Sequence, residues 1–438
     1  MDGLVMAGQL ILALAILVTF HEWGHFAAAR MFGIKVEKFY LFFDAWGKKL
    51  FSFKRGDTEY GIGWLPLGGY VKIAGMIDES LDTEQLEREP EEWEFRSKPA
   101  WQRFIVMIGG IVVNLVLGYL ITVFYLTGYE KGYVSTETAN DDGIYVTAIG
   151  EQFGLQTGDK LVTLNGEYHK RFKDFSPRFG GELVVDRNGE KIVLNLPDTL
   201  FKVEKDSGMP LYSMHQNVNI HKVGKKEEGQ PTIADLGIAK GDQLLAVNGE
   251  EILSYYHMQS LLQANKGKEI QVDYSHKGKT TQVSTVLDSS GLLGFNPDVN
   301  AYEDQKTKYG FVGALSYGWH ESYAVLRDNI KAFGMIFNGK LKAKDSVQSI
   351  VGIAVIYGPS WNWGRFWRLT AMISILLGFM NALPIPALDG GHMVFLTYEM
   401  IVGKPAPEKV LIAAQYVGIV LLLLLMVLTV GNDIIKLF

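Results

Sequence analysis

Two histidines, His21 and His25, enclose Glu22 in the run His-Glu-Trp-Gly-His. On a helix, positions i and i+4 share a face, so both imidazoles can reach one metal ion. Glu22 sits beside them, placed to take a proton from a water on that metal. Alone the spacing is a moderate signal, because it also arises in soluble helices that hold no metal. Its setting sharpens it. Residues 4–20 are apolar apart from Gln9 and Thr19, and the apolar character runs on to 32 with Arg30 the one charge outside the motif. An ionisable side chain near the centre of a lipid-spanning helix costs roughly 2.5–3.5 kcal/mol on insertion scales. The chemistry implied is metal-dependent hydrolysis inside a membrane or at its edge.

A hydrolytic zinc site takes three protein ligands and leaves a fourth position open. Phe26-Ala-Ala-Ala-Arg30 follows the second histidine, so the metzincin extension is absent. Glu37 and Asp44 lie beyond the apolar run and are weaker candidates. A better source is Asn381-Ala-Leu-Pro-Ile-Pro-Ala-Leu-Asp-Gly-Gly-His392. Pro384 and Pro386 break a helix there, and the glycines let the backbone fold close to a partner. Asp389 is then presented from an irregular segment at the depth of His21 and His25. His392 is the alternative ligand, although so soon after a helix break it is expected to point elsewhere.

Four stretches are long and apolar enough to act as spans, for which about 20 residues suffice: 4–20 with its continuation to 32, 104–127, 366–383 and 411–430. The first has no basic n-region and no small-residue cleavage site, so it is expected to stay on the chain. No Lys or Arg precedes it, whereas Arg30, Lys35, Lys38, Lys48, Lys49, Lys54 and Arg55 follow. Positive-inside bias therefore puts that loop in the cytoplasm and the N-terminus outside. His21 falls about 25 Å along the helix from Leu4, toward the cytoplasmic side. Arg365 and Arg368, at the outer end of the third stretch, run against the rule, but long translocated domains obey it poorly. The chain has no cysteine, which excludes disulfides and thiolate ligands, and its net charge of −6 gives no reason to expect nucleic acid.

A repeat organises the polar middle of the chain. Gly154-Leu-Gln-Thr-Gly-Asp-Lys-Leu-Val-Thr-Leu-Asn-Gly-Glu167 returns as Gly237-Ile-Ala-Lys-Gly-Asp-Gln-Leu-Leu-Ala-Val-Asn-Gly-Glu250. Each copy reads as a turn, a short alternating strand and a hairpin turn. The pattern resembles the core of a PDZ domain, a module that adds an extended peptide to a sheet edge. Such modules would contact substrate or filter it by size. Between the first two spans, residues 60–75 are apolar, Gly-rich and interrupted by Pro66. They make a poor helix and suit a strand pair dipping into the membrane interface, with an ordinary cytosolic hairpin as the bland alternative. Residues 78–94 are strongly acidic and read as a solvated surface segment. Further on, Leu315, Trp319, Tyr323, Leu326, Ile330, Phe333 and Phe337 mark an amphipathic helix.

Together these features resemble the site-2 protease family of intramembrane zinc metalloproteases, in its bacterial regulator-of-sigma-E form. The matches are His21-Glu22-x-x-His25, Asn381-x-x-Pro-x-Pro-x-Leu388-Asp389-Gly390, the tandem PDZ-like insert and the Gly-rich stretch, which looks like the family's membrane-associated β element. The resemblance implies Zn²⁺ held by His21, His25 and Asp389, with Glu22 as general base and acid. It implies substrate positioning by Asn381 and Asn114, and by Gly68 and Gly69 of the Gly-rich stretch. The substrates implied are single-span membrane proteins, an anti-sigma factor and remnant signal peptides among them, in the bacterial inner membrane. Two departures stand out. Gly109-Gly-Ile-Val-Val-Asn114 lacks the proline often found after the glycine, and a Gly-Pro expected near Ser349-Ile-Val-Gly-Ile-Ala354 is missing.

The expected architecture is a polytopic α-helical membrane protein with four transmembrane helices, a membrane-associated β element and two inserted PDZ-like α/β domains. Its divisions are 1–127 (first two spans, metal motif and β element), 128–220 and 221–304 (PDZ-like), 305–365 (amphipathic connection) and 366–438 (last two spans). The PDZ-like domains and both termini are expected outside the cytoplasm. Two rival functions are a non-catalytic PDZ scaffold with a degenerate metal site and a metal transporter. The intact ligand set argues against the first. The second needs carboxylates or histidines on several spans, which the second and fourth lack.

Overall fold

Apolar runs without interior proline satisfy their backbone hydrogen bonds within one segment, which in lipid only helices and closed barrels achieve. A computed structural model of the chain, describing residues 2–66, 68–76, 89–223, 233–298, 303–341 and 350–437, follows that rule. Helix α1 spans Asp2–Met31 and α2 spans Ala100–Gly128, the latter begun by Pro99 at its N-cap. The other helices of this part are α3 (Phe311–Phe337), α4 (Ile350–Tyr357), α5 (Trp363–Asn381), α6 (Asp389–Val402) and α7 (Glu408–Leu437). Among the described residues three helices are long and apolar enough to cross a bilayer: α1, α2 and Lys409–Leu428 within α7. The expected third span is α5, only 19 residues long, with Arg365 and Arg368 in its first two turns. Most of the acidic 78–94 segment lies outside the described residues.

The chain divides into two compact units, Met1–Tyr129 with Lys308–Phe438, and Glu130–Thr307. In the first, α2 is the shared partner of α1 and α5. A Cβ on Gly109 would come within 2.6 Å of the Gly24 carbonyl oxygen, so α1 and α2 touch backbone to backbone there. Small residues allow such approach where lipid supplies no hydrophobic drive between helices. On the other face of α2, the Ser374 hydroxyl of α5 donates to the Asn114 carbonyl at 2.7 Å.

A four-stranded sheet follows α1: β1 (Val36–Leu41), β2 (Lys49–Arg55), β3 (Thr58–Gly63) and β4 (Tyr70–Ile73), in the order β2-β3-β1-β4. Strand β1 is central, parallel to β3 (Phe39 opposite Tyr60) and antiparallel to β4 (Phe39 opposite Val71). The Gly-rich stretch therefore does not pair with itself. Its two strands flank β1, because Leu65 bridges to Phe43 beyond the end of β1 and carries the chain across. Lys49 and the Tyr40 hydroxyl converge on Glu59 and hold its carboxyl down at about 2, tying three strands together. Ala29, Val36, Ile73, Val106 and Leu396 share one core, which seats the sheet against α1, α2 and α6. Trp46, Leu50, Phe51 and Phe53 are exposed, apolar side chains of the kind that meet a membrane interface.

The second unit holds β5 (Lys131–Tyr133), β6 (Ile144–Val146), β7 (Lys160–Leu164), β8 (Gly181–Arg187), β9 (Glu190–Leu196), β10 (Tyr212–Met214), β11 (Val218–Val223), β12 (Gln243–Val247), β13 (Glu250–Glu251), β14 (Glu269–His276), β15 (Lys279–Val286), β16 (Phe295–Pro297) and β17 (Gln305–Thr307). Strands β5 and β17 pair with each other, so the two ends of the unit lie side by side. The sequence repeat is also a structural one. Leu155, Leu161 and Leu164 are buried in one core and Ile238, Leu244 and Val247 in another. Asp159 accepts from the Gln156 amide as Asp242 does from that of Ala239, both at 2.9 Å. Asn165 and Asn248 both adopt φ 54 and accept from the Glu182 and Gln271 amides on the next strand. Asn tolerates the left-handed region that alanine resists. Asn248→Ala is accordingly expected to destabilise the second repeat by about 1–3 kcal/mol. Hydrogen exchange at Gln271 is the check, and unchanged protection there would refute it.

Candidate metal centre

His21 and His25 project from one face of α1 toward α2, and Asp389 opens α6 just past the Pro384–Pro386 break. The three meet. Asp389 Oδ2 lies 3.3 Å from His21 Nε2 and 3.4 Å from His25 Nε2, and the two Nε2 atoms are 3.3 Å apart. Zinc bonds of about 2.0–2.1 Å in tetrahedral array set neighbouring ligand atoms about 3.3 Å apart. Asp389 Oδ2 is also buried with no hydrogen bond, costly for a carboxylate unless a cation satisfies it. The donor set and its spacing fit zinc.

The backbone around these ligands is specialised. Ala387 takes φ 73, a left-handed conformation uncommon for a residue other than glycine or asparagine. It turns the chain so that α6 begins on Asp389. Gly110 of α2 faces the histidines so closely that a Cβ there would overlap His25 Nε2 and lie 2.7 Å from His21 Cε1.

Both imidazoles are oriented from behind. His25 Nδ1–H donates to the Val106 carbonyl at 2.8 Å, which leaves the Nε2 lone pair facing the centre. The Asn114 side-chain amide lies 3.0 Å from His21 Nδ1, and its Oδ1 is buried without a partner among the described residues. Turning that amide over gives Oδ1 the Nδ1–H of His21 and frees Nε2 in the same way. Asn114, expected to position substrate, is fully buried and is not among the residues that line the cavity.

The centre opens into a cavity of about 440 Å³. Glu22 lines it beside the ligands, with the Val71 backbone amide of β4 approaching its carboxylate. Gly69 and residues 70–73 of β4 form one wall, and Asn381, Leu388, His392 and Gln415 line others. The outer edge of β4 carries no partner strand among the described residues. Asn381 ends α5, with its Nδ2 3.2 Å from His21 Nε2. His392 lines the cavity but stands outside the three-ligand cluster. Glu37 pairs with Lys72 at 3.5 Å and Asp44 with Lys38 at 3.1 Å. Gly68 packs against the Phe43 ring, where a Cβ would meet Cε2 at 2.8 Å. Val106, Gly110 and Gln415 escaped the sequence reading. A carbonyl or a missing Cβ has no chemical signature, but an amide in the apolar stretch 411–430 was a visible signal.

The sequence profile of Peptidase family M50 matches residues 9–425. The chain belongs to peptidase family M50. Its relatives within M50 match it end to end. A regulator of sigma E protease from Haemophilus influenzae is 30% identical over 100% of both chains. The zinc metalloprotease RasP of Shouchella clausii is 29% identical over 97% of each, and protease RseP of Yersinia pestis 28% over 97% of each. This M50 chain is thus a membrane zinc metalloprotease.

Proposed function

We propose that this M50 peptidase cuts single-span proteins within their transmembrane segment, with an anti-sigma factor and remnant signal peptides as its substrates. In this reading His21, His25 and Asp389 hold the zinc, and Glu22 is the general base and then the general acid. The observation that carries it is the triangle of donor atoms, 3.3–3.4 Å on each side, opening on a cavity that Glu22 and the β4 edge share. A relative named for sigma E regulation supports the substrate class.

Zinc, when bound, supplies Lewis acidity toward a carbonyl oxygen and lowers the pKa of water toward about 7. The chain's own residues do the rest. Glu22 takes the proton of the attacking water and passes it to the leaving amine as the C–N bond breaks, and the water oxygen ends in the new carboxylate. Val106 and Asn114 hold the imidazoles with Nε2 inward. A substrate helix hides its backbone in its own hydrogen bonds, so it must unwind before any residue can reach a peptide carbonyl. The outer edge of β4, with no partner strand among the described residues, offers the unwound strand replacement partners, and Gly69 lets the start of β4 pack closely against the Tyr40 carbonyl of β1 and Val18 of α1. Asn381 then orients the carbonyl to be attacked.

The reading places α5 as a third span and gives four in all. It sets the Lys- and Arg-rich loop after α1 in the cytoplasm and the site toward that side of a bacterial inner membrane. The repeats of the 130–307 unit act as PDZ-like modules, over 128–220 and 221–304, that screen substrates before they reach the site. The equivalent turns at Asp159 and Asp242, and at Asn165 and Asn248, support one fold repeated.

Metal removal tests the chemistry. Stripping detergent-purified protein with a strong chelator is expected to abolish cleavage of a single-span substrate, and zinc is expected to restore it. Undiminished cleavage by metal-free protein would overturn the proposal.

A further inference from the structure

Helix α7 is apolar from Val410 to Val430 apart from Gln415 and Thr429, and most of its described residues are exposed. Among its described residues only two are buried, Gln415 and Gly418, which fall on one face of the helix. They do different things. A Cβ on Gly418 would overlap the Pro386 carbonyl and lie 2.9 Å from Ala387 Cβ. The glycine thus lets α7 rest directly on the loop that delivers Asp389. One turn away, Gln415 is 4% exposed. It lines the cavity of the metal centre and also a second cavity of about 350 Å³ that Ala387 lines as well. The two cavities share Met76, Ala387, His392 and Gln415.

We infer that Gln415 binds the backbone of the unwound substrate beside the scissile bond, where the peptide passes from the β4 edge into the second cavity. The chemistry suits the task. A peptide freed from its helix exposes one N–H and one C=O per residue, and a carboxamide offers the matching acceptor and donor on one planar group. Packing alone does not call for an amide here, because a leucine would fill the volume without burying polar atoms in an apolar helix. The inference rests on the protease reading above and adds to it a substrate contact from the last helix.

The absence of cysteine from the chain makes the test clean. In the inactive Glu22→Gln protein, Gln415→Cys is expected to form a disulfide with a single-span substrate carrying one cysteine within a few residues of its cleavage point. Val417→Cys, on the exposed side of α7 at 63% exposure, is expected to form none. No cross-link at Gln415, or equal cross-linking at Val417, overturns the inference. In the active protein, Gln415→Leu is expected to lower kcat/KM about tenfold through KM, the effect of one lost hydrogen bond. Zinc content should be unchanged, and Gln415→Asn should recover part of the loss. Wild-type kinetics in Gln415→Leu would refute the contact. If that variant loses zinc as well, the cross-linking result decides. A wild-type protein that cuts no single-span substrate would instead sink the underlying protease reading.

Discussion

Glu22→Gln is expected to lower the turnover of a single-span substrate by about 10²–10⁴-fold, the range that a positioned general acid–base contributes. Glutamine keeps the length and shape of the side chain, so the cavity wall formed with Val71 should persist. What it loses is the ability to take up a proton and give it back. Glu22 lies outside the three-atom cluster of His21, His25 and Asp389, so zinc content should match that of the wild type. The measurement is therefore paired: turnover in detergent, and bound zinc by elemental analysis. Full zinc with lost turnover assigns Glu22 to proton transfer. Equal turnover in both proteins would remove it from the mechanism, and loss of zinc would make it a ligand instead.

The second large effect comes from a residue with no side chain. Gly110→Ala is expected to weaken zinc binding by about 100-fold, the upper range seen when groups behind metal ligands are altered. Its Cβ would sit in the space of His25 Nε2 and 2.7 Å from His21 Cε1. Relief would require α2 to retreat, but Gly24 and Gly109 hold it against α1, and the Ser374–Asn114 hydrogen bond ties it to α5. The imidazoles must rotate instead, and the triangle opens. Competition with a chromogenic chelator measures the loss. Gly128→Ala, at a position with nothing within 4 Å of the added atom, serves as the control. Wild-type affinity in Gly110→Ala would show that the histidines have room to yield.

The sequence disclosed the parts of the site that rest on local rules. His21, Glu22 and His25 follow from helical spacing, and Asp389 from a helix broken by Pro384 and Pro386. The Asp and Asn turns of the repeat were visible because those residue types are needed wherever the backbone turns sharply. Less was legible where tertiary packing decides. The Gly-rich stretch read as a strand pair, but β1 separates its two strands, and strand order leaves no trace in a local alternation of side chains. The closeness of the Asn114 side chain to His21 Nδ1 depends on how α2 packs against α1, which no local pattern shows. The Val106 carbonyl and the Gly110 clearance belong to the backbone, which every sequence has everywhere. Gln415 was visible as an amide in an apolar run, but its meaning depends on how closely Gly418 docks against Pro386.

The split of the ligands between α1 and α6 also carries a consequence in time. His21 and Asn381 are 360 positions apart along the chain, and Asp389 comes later still. At about 5–20 residues per second of synthesis, roughly 20–70 s pass after the histidines emerge before Asn381 is made. During that interval the nascent chain carries His21, Glu22 and His25 without Asp389, the third ligand of the proposed zinc site. In the proposed reading, the site is incomplete throughout that time. The three donor atoms can meet only once the Asp389 segment has been made and has folded back against α1.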